Sequence, residues 1–128
     1  MIRRNDMEQI RFDIINAMDE WLRAVRRDFH QHPEMGNKEF RTSAKVREYL
    51  DEFGIEYRSC GPSTGVVGLI KGAYPGKTVA IRADMDALPI AEQNDVPYKS
   101  QNAGVMHACG HDAHTTILLG TAKYFASV

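Results

Sequence analysis

His107-Ala108-Cys109-Gly110-His111-Asp112-Ala113-His114 packs three imidazoles, one thiol and one carboxylate into eight residues with almost nothing apolar among them. About 20 residues upstream, Arg82-Ala83-Asp84-Met85-Asp86-Ala87-Leu88-Pro89 carries two carboxylates at i and i+2, at the end of an apolar run. Imidazole nitrogen, thiolate sulfur and carboxylate oxygen are the side-chain donors that bind borderline divalent ions such as zinc. Together the two stretches read as part of a metal site on an α/β framework.

Working outward from Cys109 and His111, their i, i+2 spacing lets a thiolate and an imidazole share one ion, and Gly110 between them permits a tight backbone. Asp112 reads as the N-cap of a last helix, with His111 just ahead of it. That helix should turn Ile117, Leu118, Thr121, Ala122 and Phe125 inward. It runs to Val128 with no closing cap, so the chain reads as cut rather than finished. Known zinc patterns such as His-Glu-x-x-His or paired Cys-x-x-Cys are not found in the sequence.

Upstream, residues 89–111 carry no helix or strand period. An ordered loop of about 20 residues in a compact domain is usually functional. It begins at the acidic stretch and ends at the His/Cys cluster. Asp84 and Asp86, two apart on an extended backbone, should point to one side at the carboxyl edge of a sheet, where ligands bind in open α/β sheets. Two such carboxylates repel each other unless a cation or a shared proton compensates. Gly65–Ile70 and Thr78–Ile81 have strand composition, and Tyr74-Pro75-Gly76 between them predicts a turn and an antiparallel hairpin. Gly61, Gly65 and Gly68 lack phosphate-loop spacing and read as turn and packing glycines.

The N-terminal half is helical in pattern. Ile10, Ile14, Ala17, Met18, Trp21, Leu22 and Val25 form a core-facing stripe that stops at His30-Gln31-His32-Pro33-Glu34, because Pro33 disfavours helical geometry at His32. The His30–Glu34 cluster itself reads as a surface loop. A second helix over 39–53 should face Phe40, Ala44, Tyr49, Leu50 and Phe53 inward. Gly54 reads as its left-handed cap with apolar Ile55 following, and Ile55, Tyr57 and Ser59 then alternate as an edge strand.

Length and composition exclude several classes. A chain of 128 residues suffices for one domain with a real core. Its net charge of −1, with short pairs such as Arg3-Arg4 and Arg26-Arg27 interleaved with acids, gives no nucleic-acid field. No apolar run approaches the ~18–20 residues of a membrane span, and no signal-peptide core follows Met1. Cys60 and Cys109 lie far apart in unlike settings, which implies a reduced, cytoplasmic protein with Cys60 structural.

The stretches Arg26 to Glu34, Thr64-Gly65-Val66, Arg82 to Pro89 and Met106 to His114, in this order and spacing, resemble the amidohydrolase branch of the di-metal aminoacylase/carboxypeptidase family. That branch includes N-acyl-amino-acid amidohydrolases, hippurate hydrolases, N-acetyldiaminopimelate deacetylases and auxin-conjugate hydrolases. The resemblance covers essentially the whole chain. It implies the N-terminal portion of a zinc-exopeptidase-like catalytic domain, a mixed sheet flanked by helices, with the lid or dimerisation domain absent. Residues 1–128 would be a partial metallohydrolase domain.

By the same resemblance, Cys109 and His111 would be the first two metal ligands and Asp86 the active-site carboxylate that orients an imidazole ligand. Asp84 falls where more distant relatives carry a metal-binding histidine, so a ligand role there is not carried over. A complete site would hold two divalent ions, zinc, manganese, cobalt or nickel. The substrate would be a small N-acyl amino acid, with neither nucleic acid nor membrane as partner, and the full-length enzyme a homo-oligomer. The general base and remaining ligands fall outside these residues. The isolated chain is therefore expected to be inactive, the alternatives being a non-catalytic remnant or one half of a split enzyme.

Overall fold

The structure, a computed structural model, describes residues 11–128. Arg3-Arg4 and Ile10 of the expected stripe lie outside the described residues. Six elements follow in chain order: α1 (Phe12–Ala17), α2 (Asp19–Gln31), α3 (Phe40–Glu52), β1 (Glu56–Ser59), β2 (Val66–Leu69) and α4 (His111–Ala126). No helix among the described residues is long and apolar enough to cross a membrane.

The first helical stripe is real but divided. At Met18 the backbone N–H reaches back to the Ile15 carbonyl at 3.1 Å, a tightened turn that closes α1 before α2 begins. Along α2 the buried apolar side chains are Val25 and Phe29. The helix stops at His32, whose φ of −125° and ψ of 57° leave the helical region one residue before Pro33.

Helix α3 ends as its sequence predicts. Gly54 takes φ +69°. Its N–H bonds the Asp51 carbonyl at 3.0 Å, and the Ile55 N–H bonds the Leu50 carbonyl at 2.9 Å. This is the Schellman pair, and Ile55 then buries itself in the core. A Cβ in the left-handed region strains against its own backbone, so Gly54→Ala is expected to lower stability by about 1 kcal/mol. The midpoint of urea denaturation checks this; an unchanged midpoint would contradict it.

The inward face of α3 differs from expectation. Thr42, Ser43, Val46 and Leu50 are buried, whereas Phe40 is 70% exposed and Ala44 is also exposed. Glu34 explains the turn of the helix. Its carboxylate accepts the backbone N–H groups of Arg41 (3.0 Å) and Thr42 (2.8 Å) and the Thr42 hydroxyl (2.9 Å), capping α3 from outside and drawing Thr42 inward.

The hairpin is not the expected one. β2 pairs antiparallel with β1 in the register Glu56↔Leu69 to Ser59↔Val66, and Thr78–Ile81 joins no strand. The shorter connection wins: Cys60 N–H bonds the Gly65 carbonyl at 2.9 Å, and Ser63 Oγ donates to the Cys60 carbonyl at 2.7 Å. Closing this turn fixes fewer residues than closing one across 71–77. The α/β class stands, with the sheet among the described residues reduced to this antiparallel pair.

Val25, Phe29, Val46, Leu50, Ile55 and Leu119 form the core, with Trp21, Tyr49, Phe53 and Met85 packed around it. Trp21 is a packing residue as expected, edge-on to Tyr49 and Phe53 at 5.5 and 5.8 Å. Helix α4 packs on α2 through Thr116, Leu119 and Gly120 rather than through the expected Ile117 and Phe125, which are 63% and 53% exposed. Val79 and Ile81, 82% and 60% exposed, are likewise open, so one apolar side of the molecule is uncovered by the described residues.

Candidate metal centre

Three segments converge at the start of α4. The first is the turn 107–110. Gly110, at φ +87° and ψ 12°, is the residue immediately before the helix, and its left-handed backbone turns the chain so that Cys109 and His111 sit on either side of it. Asp112 is therefore not the N-cap. It lies in the first turn of α4, 1% exposed, its carboxylate held by Arg26 and His30 of α2.

The second segment is 82–88. Its expected carboxylate pair separates. Asp84 accepts from the Arg82 guanidinium at 2.8 Å, in a partly solvated pair. Asp86 instead faces α4: His111 Nδ1 donates to Asp86 Oδ1 at 2.9 Å, with the Asp86 carbonyl 3.1 Å away. The Cys109 thiol points at the same carbonyl, Sγ to O 3.7 Å. Only acceptors surround Nδ1, so that nitrogen carries the proton and the Nε2 lone pair is left for a ligand. A carboxylate on one imidazole nitrogen is the usual arrangement behind a metal-bound histidine, fixing the tautomer and raising the basicity of the other nitrogen. Thr115 Oγ1 donates to the Asp84 carbonyl at 3.0 Å and ties this segment to α4.

The third segment is the loop from 89 to 105, which is ordered although it contains no helix or strand. Leu88 and Met106 exchange both backbone hydrogen bonds at 3.0 Å and pinch its ends together. Asn102 Nδ2 donates to the Pro33 carbonyl at 2.6 Å, and Gln101 N–H donates to the Gln31 carbonyl at 2.9 Å. At its centre is Glu92, a residue with no signal in the sequence. Its carboxylate accepts from Ser100 N–H (2.6 Å), Asn94 Nδ2 (3.1 Å) and His30 Nε2 (3.0 Å).

His30 is thus no surface-loop residue. It is 3% exposed, and its Nδ1 donates to Asp112 Oδ2 at 2.7 Å while Nε2 faces Glu92. Arg26 Nε reaches the same Asp112 oxygen at 2.8 Å. A group formed by Arg26, His30 and two buried carboxylates therefore links α2, α4 and the loop.

Burial alone would push the Glu92 carboxyl up, but the Ser100 amide, then His30 and Asn94, outweigh it and hold it down from 4.5 to about 2. A carboxyl depressed by folding adds stability above its unfolded value, and that stability is lost as pH falls toward the folded one. Wild-type protein is therefore expected to lose stability progressively between about pH 4.5 and pH 2 through this group. In Glu92→Gln that part of the acid dependence should vanish. Acid denaturation followed by circular dichroism tests it, and parallel curves for the two proteins would refute the assignment.

A cavity of about 510 Å³ opens beside Cys109, with Arg26, Tyr98, Met106 and His107 among its walls. His107 is 4% exposed with neither ring nitrogen paired, and Asp112 Oδ1 is likewise buried and unpaired. Burial pushes the His107 imidazole down from its ordinary value, against the pull of Asp112. Orphaned polar atoms beside a thiol and a carboxylate-backed imidazole fit a polar, ligand-binding position. Among the described residues, however, no three His, Cys, Asp or Glu side chains converge closely enough to hold an ion. A site built on Cys109 and His111 would need further donors. Cys60 stays apart, exposed and free in the β1–β2 turn.

Known proteins match most of this chain. Residues 80–128 match the model of Peptidase family M20/M25/M40. The chain is 48% identical over 117 residues to thermostable carboxypeptidase 1 of Saccharolobus solfataricus, covering 91% of this chain and 30% of that protein. It is 46% identical over 122 residues to the N-acyl-L-amino acid amidohydrolase of Geobacillus stearothermophilus, covering 95% of this chain and 31% of that protein. Among solved structures, a Bacillus subtilis protein described as a dinuclear metal binding peptidase from M20 family superposes with a TM-score of 0.83 at 43% identity. The match covers 88% of this chain and 32% of that one. The chain spans about a third of the length of the relatives it matches.

Proposed function

We propose, from its likeness in sequence and fold to the N-terminal part of peptidase family M20/M25/M40, that this chain supplies the first metal-binding segment of a metal-dependent amidohydrolase. Residues 1–128 are read as one part of its catalytic domain. The substrate is an N-acyl amino acid, and the reaction is hydrolysis of its amide bond. The observation that carries this reading is the His111–Asp86 hydrogen bond across 25 positions of sequence, with the Cys109 thiol and His111 Nδ1 both directed at the Asp86 carbonyl.

Cys109 and His111 would hold the ion, and zinc, manganese, cobalt or nickel all accept a thiolate–imidazole pair. When bound, a divalent ion supplies Lewis acidity toward the scissile amide. The chain's own residues do the holding: Asp86 keeps the His111 proton on Nδ1, and Gly110 sets the turn that presents both donors. The two free cysteines suit a reducing, cytoplasmic setting.

The test is hydrolysis of N-acetyl and N-benzoyl amino acids by the complete protein, before and after chelation. Turnover should disappear with the metal and return on adding Zn²⁺, Mn²⁺ or Co²⁺. Turnover persisting in metal-stripped protein would end the proposal. The 128-residue chain alone is expected to show none, since catalytic zinc sites use about three protein ligands and no three such donors converge among the described residues.

A further inference from the structure

We propose that His30 is a positioning residue for the metal-binding turn, acting through Asp112 on the backbone that carries Cys109 and His111. This rests on the reading of Cys109 and His111 as ligands. It concerns a side chain on a different helix, 82 positions from its partner, that touches neither donor.

The geometry is specific. His30 lies on α2 with Nδ1 2.7 Å from Asp112 Oδ2 and Nε2 3.0 Å from Glu92 Oε1. The two ring nitrogens of His30 thus bridge the two acids, with Arg26 Nη2 3.3 Å from Nδ1. Arg26 adds its guanidinium to the same Asp112 oxygen at 2.8 Å. Asp112 follows His111 directly in the chain and belongs to the same first turn of α4. Its carboxylate, fully desolvated and tethered to α2, cannot move without dragging the His111 backbone with it. The His111 ring is then fixed at two points. Asp86 sets its rotation through Nδ1, and Asp112 sets the position of the backbone from which it projects.

A salt-bridge cluster could merely hold the fold together, and its asymmetry separates the two roles. Glu92 has partners without His30, namely Ser100 N–H and Asn94 Nδ2. Asp112 depends on α2: one oxygen meets Arg26 and His30, and the other has no partner. Loss of His30 therefore leaves Asp112 with Arg26 alone and loosens the turn beside His111. Loss of charge at Glu92 loosens the loop and leaves Asp112 tethered.

The experiment uses the complete protein loaded with Co²⁺, whose visible spectrum reports ligand geometry independently of turnover. His30→Gln keeps a polar side chain but cannot donate to both acids. It is expected to lower Co²⁺ affinity about 10–100-fold, the usual effect of losing support behind a ligand, and to shift the ligand-field bands. Glu92→Gln is expected to keep Co²⁺ affinity within about threefold and retain the wild-type bands, even with its melting temperature lowered as much. Should His30→Gln fail to fold, Asp112→Asn preserves shape while weakening the same bond, and the same shift is expected. Wild-type affinity and bands in a folded His30→Gln or Asp112→Asn protein would overturn the proposal. Equal perturbation by Glu92→Gln would overturn it too, by showing a general stability effect. Cys109→Ala distinguishes the underlying reading: if it retains the wild-type Co²⁺ spectrum, the ligand assignment falls and this proposal with it.

Discussion

The complete protein carrying Cys109→Ala is expected to bind its metal more than about 100-fold more weakly, since loss of an outer partner alone typically costs 10–100-fold. His111→Ala should do the same. Both donors belong to one turn, and neither has a substitute nearby: no third donor joins them among the described residues, and Cys60 sits in the β1–β2 turn. Asp86→Ala should fall in the lower range, because it leaves both donors in place and removes only the acceptor at 2.9 Å that fixes the His111 ring. Cys60→Ala serves as the control and should leave the metal untouched. Metal content after gel filtration, with affinity from competition against a chromophoric chelator, gives the ranking. Stoichiometric metal in either ligand variant would dismiss the centre; an Asp86 effect as large as theirs would make Asp86 a ligand itself.

What could be read from sequence was local. The end of α3 at Gly54 and Ile55 depends on residues within one turn, and it folds as read. Gly110 between Cys109 and His111 is legible for the same reason, since a left-handed residue before a helix needs no distant partner. The faces of α3 and α4 were harder. Apolar periodicity marks Phe40, Ile117 and Phe125, but periodicity does not say which neighbours are present to cover them. Strand pairing failed at Thr78–Ile81 because composition allows several partners, and the pairing formed was the one with the shorter turn.

The polar interior was least legible. His30 looked like a loop histidine before a proline, and Glu92 resembled any acid in a polar stretch. Their partners lie 82 and 62 positions away in the chain. Only folding reveals that each buried charge has a counter-charge.

That interior should also govern stability, and Asp112→Leu is expected to cost about 3–5 kcal/mol. The substitution removes the one carboxylate that both Arg26 Nε and His30 Nδ1 contact, leaving the guanidinium and a 3% exposed imidazole nitrogen without that partner. An exposed pair such as Arg23–Asp19, more than half open on both sides, behaves differently: Asp19→Ala should leave the denaturation midpoint nearly unchanged. Urea denaturation gives both numbers, and an Asp112→Leu loss no greater than that of Asp19→Ala would show the cluster to be water-screened. The double variant His30→Leu/Asp112→Leu sharpens the point. Replacing a buried ion pair by apolar side chains of similar volume is often neutral, so the double variant should recover much of the single loss. Glu92 would still be satisfied by Ser100 and Asn94. Recovery of stability with metal affinity still impaired would separate the two tasks of the cluster, because a leucine can fill the space beside α4 but cannot hold its first turn by a charged hydrogen bond.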